Sequence, residues 1–455
     1  MKVAVLDVGK TNVKTVIVNA RERREIAART RPNRVLTDGL YPHFDVDGIF
    51  AFFLQSLTEL NAEFGFDAIS ITAHGASGAL LGAEGLALPV LDYEFRYPAE
   101  IEAAYDAIRP DFSETFSPRL PGGLNLGAQL HYQKTAFPGA FKKVQTIVTY
   151  PQYWSWRLTG IAATEVTSLG CHTDLWRPRQ GRFSSLVETL GIADNLAPVR
   201  KPSDLLGSVT EEISAKIGLA LPVPVYCGIH DSNASLLPHL GQHEAPFSVV
   251  STGTWVVIFA VGGDLDHLDS KRDTLANVDA LGRAVPSARF MGGREFELLT
   301  KGQGAATPEA IHRVVEERIV LTPSVVSGCG PFPDAEHRLV NASNELDLDG
   351  TYVAASLYAA LMTKACLDLT RAAGPVIVEG PFARNALYTE ALSKATGRPV
   401  IAVSSSTGTS VGAALLALES SAQSSFQEGR EASSHQLPES FQRYCAEWNA
   451  LLETS

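Results

Sequence analysis

The sequence predicts an α/β protein of two domains, and three observations predict it. Strand-like runs alternate with helical periods along both halves of the chain. At 455 residues the chain is long for a single hydrophobic core. A strand, a Gly/Thr turn and a returning strand open the sequence, and the same unit recurs near its midpoint.

In chain order, Val3–Leu6 and Val13–Val18 read as strands joined by Asp7-Val8-Gly9-Lys10-Thr11-Asn12, where Gly9 supplies the permissive backbone of a turn. Asp47–Phe64 has a helical period (Ile49, Phe50, Phe53, Leu54, Leu57, Leu60). A buried-strand run, Ala68–Thr72, and the small-residue turn Ala73–Gly78 follow. Pro89–Pro121 reads as irregular, Leu126–Gln133 as helical, and Thr149–Leu158 as a stretch rich in Tyr and Trp. The apolar run Val223–Ile229 leads to Asp231 and then to a helix. Ser248–Ser251, the turn Thr252–Thr254 and the strand Trp255–Ala260 repeat the opening hairpin.

Gly350–Ala373 reads as a long helix stopped by Gly374-Pro375. Next come a strand Val376–Glu379, a turn Gly380–Asn385, a helix Leu387–Ala395 and a strand Pro399–Val403. Ser404–Ser410 reads as a loop and Val411–Glu419 as a small-residue helix. Ser420–Ser440 is polar and reads as a mobile surface connection, and Phe441–Leu452 as a last helix. The expected domains are 1–243 and 244–455.

Composition excludes several function classes. With 45% hydrophobic and 19% charged residues the chain is ordinary and globular. A net charge of −12 argues against a nucleic-acid partner and against an anionic membrane surface. A nucleotide remains compatible, because backbone donors and Mg²⁺ can carry its charge locally. The five cysteines are scattered without metal spacing, which predicts reduced thiols in a cytoplasmic protein. Met1-Lys2 leads directly into Val3–Leu6, without a signal-peptide pattern, and no apolar stretch is long enough to span a bilayer.

Two carboxylates stand where chemistry is expected. Asp7, at the end of an apolar strand, either holds Mg²⁺ near phosphates gathered by the turn or bonds its own backbone. Asp231 either serves as a base or caps the following helix. The Ser251-Thr252-Gly253-Thr254 hairpin, suited to a phosphate, favours the base. Lys14 either adds charge to the same phosphates or is a solvated edge lysine. Arg294 and Glu295, after Gly292-Gly293, read either as solvated surface, the reading favoured, or as part of a nucleotide or sugar wall.

Six motifs in one order resemble the FGGY carbohydrate kinases of the actin/hexokinase/Hsp70 superfamily. Asp7-Val8-Gly9-Lys10-Thr11-Asn12-Val13-Lys14 is similar to that family's first phosphate loop, and His74-Gly75 to its sugar-contacting turn. Tyr153 with Arg157-Leu158-Thr159-Gly160, Thr164 and Ser168 resembles a further segment. Gly228-x-His230-Asp231 resembles the catalytic stretch, and Ser251–Thr254 the second phosphate loop. Gly380 with Ala383-Arg384-Asn385, followed by Gly412-Ala413-Ala414, resembles the adenosine-binding region. Departures accompany the likeness. Lys10 replaces Thr or Ser, Glu165 replaces Asp, and Glu379-Gly380-Pro381 replaces a Gly-Gly pair. Ser327–Pro331 stands where Gly-Arg-Gly is expected.

The resemblance implies two ribonuclease-H-like (actin-like ATPase) domains flanking a nucleotide/sugar cleft. Domain 1–243 would bind sugar and supply the base, and domain 244–455 would bind ATP. Asp231 would be catalytic; His74, Gly75, Asp92, His230 and Asp231 would contact substrate. Gly9, Lys10, Thr11, Asn12, Lys14, Thr252, Gly253, Thr254, Gly380 and Asn385 would contact ATP, and Asp7 would hold Mg²⁺. The implied activity is ATP-dependent phosphorylation of a ketose such as L-rhamnulose or L-fuculose. Xylulose, ribulose or another polyol is the alternative, as is a non-catalytic binder of sugar and ATP. A homodimer is left open.

Overall fold

The computed structural model describes residues 1–342, 345–403, 408–418, 430–431 and 437–453. Parts of the expected loop at Ser404–Ser410 (404–407) and of the polar stretch Ser420–Ser440 (420–429 and 432–436) lie outside the described residues. The chain divides into two compact units. Unit 1 comprises Met1–Gln242, Ala276–Ala284 and Thr407–Ser425; unit 2 comprises His243–Leu275, Val285–Ser406 and Phe426–Ser455. The expected break near residue 243 therefore misses two segments that return to unit 1. No described helix is long and apolar enough to cross a membrane.

In unit 1 the main sheet runs Leu205–Ser208, Pro224–Tyr226, Ala68–Ala73, Lys2–Val8, Asn12–Asn19, Arg24–Pro32, with Ile229–His230 also pairing Ala68–Ala73. The last three form an antiparallel meander, while Ala68–Ala73 lies parallel to Lys2–Val8 and to Ile229–His230. Both faces are covered, so the first strand is apolar nearly throughout. Ala4 and Leu6 pack toward the Val46–Phe64 helix, whereas Val3 and Val5 pack with Val411, Ala413 and Ala414. The strand continues one residue past Asp7, which pairs with Lys14 inside the ladder, so the turn itself is only Gly9–Thr11.

The Thr409–Leu415 helix belongs to unit 1, contrary to the expected division, because its Gly412 lies against the backbone of the Asp231–Leu240 helix. A Cβ on Gly412 would stand 1.8 Å from the Ala234 carbonyl oxygen.

Unit 2 repeats the arrangement. Ala284–Phe290, Val256–Val261 and Phe247–Thr252 are antiparallel, followed by Val376–Glu379 and Val400–Ala402 in parallel, with Arg430–Glu431 at the edge. The repeat legible as a hairpin thus extends over five strands. Trp255 falls in the turn rather than in the strand. The long helix spans Leu348–Leu369 and starts at Asp347, whose carboxylate accepts the Gly350 N–H at 2.8 Å. Pro89–Pro121 is less irregular than its prolines suggest, holding short helices at Ala99–Asp106 and Phe112–Thr115.

The aromatic stretch is a helix, Tyr150–Thr159, closed by Gly160 in the left-handed region at φ +77°. It braces the segment before Asp231. Gln152 Nε2 donates to the carbonyls of Cys227 and Gly228 at 3.0 and 3.1 Å, and Ser155 Oγ to Cys227 at 2.9 Å. From the other side, the His230 N–H donates to Thr167 Oγ1 at 3.0 Å, and that hydroxyl donates to Glu165 Oε2 at 2.7 Å. Glu165 is fully buried and also accepts from the N–H groups of Thr167 and Ser168 and from Ser168 Oγ. Burial nevertheless pushes its carboxyl up to about 7.

Two predictions follow from this packing. Gly412→Ala should destabilise unit 1 by roughly 1–3 kcal/mol through overpacking, read as a lower denaturant midpoint; an unchanged midpoint would contradict the contact. Glu165 holds its proton longer when folded, so its contribution to stability is lost as pH rises from about 4.5 through about 7. Glu165→Gln has no such loss. The thermal midpoint of the variant relative to the parent should therefore climb between about pH 5 and about pH 8, and a constant difference would refute the assignment.

Candidate active site

Three parallel strands of unit 1 end together. Val8 pairs with Ala73, Ala73 pairs with His230, and the His74 N–H donates to the Val8 carbonyl at 3.0 Å. Just beyond these ends lie Gly9–Thr11, His74-Gly75 and Asp231. The carboxyl ends of such strands are where open α/β sheets place ligands.

Asp231 is the first residue of its helix, with His230 at the cap position. Its Oδ1 accepts from Ser232 N–H at 2.6 Å and Ser232 Oγ at 3.3 Å, and stands 3.2 Å from His230 Nε2. All three contacts fall on one oxygen, which leaves Oδ2 for another partner. Desolvation raises the Asp231 carboxyl above its ordinary value, opposed by the charge of His74 when protonated and by the Ser232 bonds. Burial holds His74 and His230 down to about 4, so both rings are neutral at pH 7.

The two histidines differ in what they leave open. His230 is engaged on both nitrogens, with Asn233 Nδ2 at 3.2 Å from Nδ1, and with Cys171 Sγ at 3.5 Å from Nε2 beside Asp231. Its ring supports Asp231 from within rather than facing outward, because Gly75 has no side chain: a Cβ there would meet His230 Nε2 at 2.8 Å. His74 Nδ1 bonds the Gly75 carbonyl at 2.9 Å, whereas its buried Nε2 has no hydrogen-bond partner among the described residues. Phe44, Tyr93 and Tyr150 surround that ring at 5.1, 5.3 and 4.9 Å between centroids.

Asp7 is buried, and its Oδ2 accepts from the hydroxyls of Thr409 at 2.8 Å and Ser410 at 3.3 Å. Burial raises its carboxyl and the Asp231 charge adds to the rise, against the lowering by the hydroxyls and Lys14. No group of three or more His, Cys, Asp or Glu suited to a metal occurs among the described residues. A single carboxylate flanked by hydroxyl oxygens nonetheless fits Mg²⁺, a hard cation that keeps most of its waters and needs few protein ligands.

The first turn departs from expectation. The Gly9 N–H closes the turn on the Asn12 carbonyl at 2.9 Å, so Gly9 shapes the loop and does not offer its own donor. Thr11, Asn12 and Lys14 are exposed. The Lys10 side chain turns away from them: its ammonium hydrogen-bonds Asp92 Oδ1, stands 3.2 Å from Glu94 Oε2, and lies over the Tyr93 and Phe44 rings at 4.7 and 5.2 Å. Lys10 and Asp92, assigned in sequence to different ligands, are one ion pair.

Unit 2 holds a pocket of about 450 Å³ lined by Thr252–Thr254, Gly293, Arg294, Phe296, Tyr352, Phe382 and Asn385 among others. Phe296 packs edge-on against Tyr352 and Phe382 at 5.5 and 5.4 Å. Aromatic walls, a guanidinium and turn backbone suit a planar base joined to an anion. Several expected contacts are structural in origin. Thr252 Oγ1 donates to the Glu379 carbonyl at 2.5 Å and accepts the Phe382 N–H at 3.1 Å, so its hydroxyl is occupied. The Gly253 N–H bonds the Trp255 carbonyl at 2.9 Å. Gly380, at φ +83°, would drive a Cβ to 2.0 Å from the Thr252 carbonyl. Asn385 caps a helix through the Tyr388 N–H at 3.0 Å and donates to Ser356 Oγ at 2.9 Å.

Sequence reasoning missed Phe296, Tyr352 and Phe382, whose only signal was aromaticity, as well as the bracing residues Gln152, Ser155 and Thr167. Arg294 is exposed, as expected, yet also lines the pocket, whereas Glu295 is buried, accepting from the Val326 N–H at 3.1 Å and Tyr358 OH at 3.1 Å.

Comparison with known proteins finds two family matches along the chain. Residues 114–238 match the N-terminal domain of the FGGY family of carbohydrate kinases, and residues 244–426 match the family's C-terminal domain. An L-fuculokinase of Salmonella typhi is 27% identical over 274 residues, 58% of this chain and 57% of that protein. A rhamnulokinase of Ligilactobacillus salivarius is 31% identical over 121 residues, 26% of this chain and 24% of that protein. The matched stretch thus spans only about half, 57%, of the L-fuculokinase. The crystal structure of a carbohydrate kinase from Novosphingobium aromaticivorans superposes with a TM-score of 0.90 at 33% identity, covering 100% of this chain and 98% of that one. The fold is that of the actin-like ATPases, and the chain belongs to the FGGY family of carbohydrate kinases.

Proposed function

We propose that the protein is an ATP-dependent sugar kinase that transfers the γ-phosphoryl group to a hydroxyl of a ketose such as L-rhamnulose or L-fuculose. The observation that carries this reading is Asp231, a carboxylate at converging strand ends whose Oδ1 is saturated and whose Oδ2 is left to take a proton. The names of the L-fuculokinase and rhamnulokinase relatives support the sugar class.

In this reading unit 1 binds the sugar. A hydroxyl donates to the lone pair of His74 Nε2, because Nδ1–H is committed to the Gly75 carbonyl. Asp231 Oδ2 accepts the proton of the attacking hydroxyl as the phosphoryl group arrives, and its raised basicity suits a general base. The brace of Gln152, Ser155 and Thr167 holds the carboxylate in place. Unit 2 binds ATP, with the adenine between Phe296, Tyr352 and Phe382 and the phosphates toward Gly253 and Thr254. Mg²⁺, when bound, neutralises phosphate charge, and Asp7 is the residue that would hold it, with Lys14 adding charge beside it.

ADP release, followed over a panel of ketoses, sugar alcohols and aldonic acids, tests the assignment. At least one ketose should give turnover that Asp231→Ala lowers by about 10²–10⁴-fold without loss of ATP binding. Undiminished turnover in that variant would remove Asp231 from the reaction. Tyr352→Ala should raise the KM for ATP roughly fivefold through lost ring contact while leaving the KM for sugar alone; the reverse pattern would place the nucleotide elsewhere.

A further inference from the structure

The structure assigns Lys10 a role other than phosphate binding: we infer that it is a positioning residue that sets sugar specificity through Asp92, and that the pocket takes neutral polyhydroxy sugars in preference to sugar acids. This rests on the kinase reading above and deepens it.

The first observation is direction. Lys10 leaves the Gly9–Thr11 turn, and its ammonium is held by two carboxylates of the 92–94 loop. The second is the state of Asp92. Its side chain is only 9% exposed, and both the Lys10 ammonium and the Glu94 N–H, at 3.2 Å, fall on Oδ1. Oδ2 takes neither, and is the oxygen left to accept from a sugar hydroxyl. A buried carboxylate would be costly to keep ionised without a cation at this distance. Lys10 thus pairs with Asp92 and, with the Glu94 N–H, fixes which oxygen it presents.

The third observation links this pair to the unsatisfied histidine. The Lys10 ammonium covers the faces of Tyr93 and Phe44, two of the three rings that pack on His74. Tyr93 and Phe44 thus touch both the Lys10–Asp92 pair and His74, whose Nε2 has no hydrogen-bond partner among the described residues, so the sugar is offered two acceptors. Both acceptors ask for hydroxyl donors. The charge balance points the same way. Two carboxylates, Asp92 and Glu94, already hold the Lys10 ammonium, Asp231 adds a third, and His74 and His230 are neutral at pH 7. A carboxylate on the substrate would meet net negative charge and find its expected cation already paired.

The test is steady-state kinetics on Lys10→Met, Lys10→Thr and Lys10→Arg, with thermal midpoints recorded for each and ADP binding followed by calorimetry. Lys10→Met and Lys10→Thr should raise the KM for the best sugar at least about tenfold with the KM for ATP and the affinity for ADP within about twofold. Lys10→Arg should recover most of the loss, since it restores the charge-assisted contact without restoring the native shape. Asp92→Asn combined with Glu94→Gln should raise the ratio of kcat/KM for an aldonate over that for the neutral sugar. A raised KM for ATP with an unchanged KM for sugar would return Lys10 to the phosphates and overturn the inference. Unchanged constants for both substrates would overturn it as well, by making the ion pair purely structural. A wild-type protein that releases no ADP with any sugar would overturn the kinase reading itself, which is a distinct result.

Discussion

The pairing of one central strand on both sides sets the position of the charged groups in unit 1. Ala68–Ala73 lies parallel to Lys2–Val8 and to Ile229–His230, so Val8, Ala73 and His230 end at one level. Ladder hydrogen bonds fix that level to within a residue, since a slip by one would turn every side chain to the opposite face. Asp7, His74 and Asp231 therefore share a site although they are far apart in sequence. The brace on Gly228 and His230 adds rigidity where the last strand is short and could not register itself.

Gathering carboxylates in this way raises an electrostatic problem. The Asp231 charge raises the Asp7 carboxyl, and burial raises both. Beside Lys14, which lowers the Asp7 carboxyl, the chain supplies hydroxyls and neutral histidines there: Thr409, Ser410 and Ser232 donate to the carboxylates, and two imidazoles stay uncharged. Glu165 shows the contrasting solution. Four donors surround it in the interior, where it orients Thr167 and touches no open space.

Much of this was legible in sequence because it is local. Apolar runs with Gly turns announced the strands, and Asp231 before a helix announced a strand end. The small-residue Gly412-Ala413-Ala414 segment was legible as a helix but not as part of unit 1, since only the close approach to Ala234 reveals why Gly is needed. Residue roles were less legible where a side chain has two plausible partners. Thr252 looked like a phosphate ligand, yet its hydroxyl ties its own strand to the Gly380 turn. His230 looked like a substrate contact, yet both its nitrogens are used inside. Partners that lie 127 and 59 residues away leave no periodic trace in the chain.

The two copies of the opening hairpin show why Lys10 could change partner. In unit 2 the Gly253 N–H closes on Trp255, two residues on, and in unit 1 the Gly9 N–H closes on Asn12, three residues on. The longer turn adds a residue that the ladder does not constrain. Asn33 steadies it from the side, donating to the Gly9 carbonyl at 2.9 Å from its side chain and to the Thr11 carbonyl at 2.8 Å from its backbone. Lys10 lies between those two anchored carbonyls, so its backbone is fixed while its side chain is free to choose. A Thr there would reach only its own loop. A lysine spans the distance to the 92–94 loop and, once paired, makes that loop part of the turn.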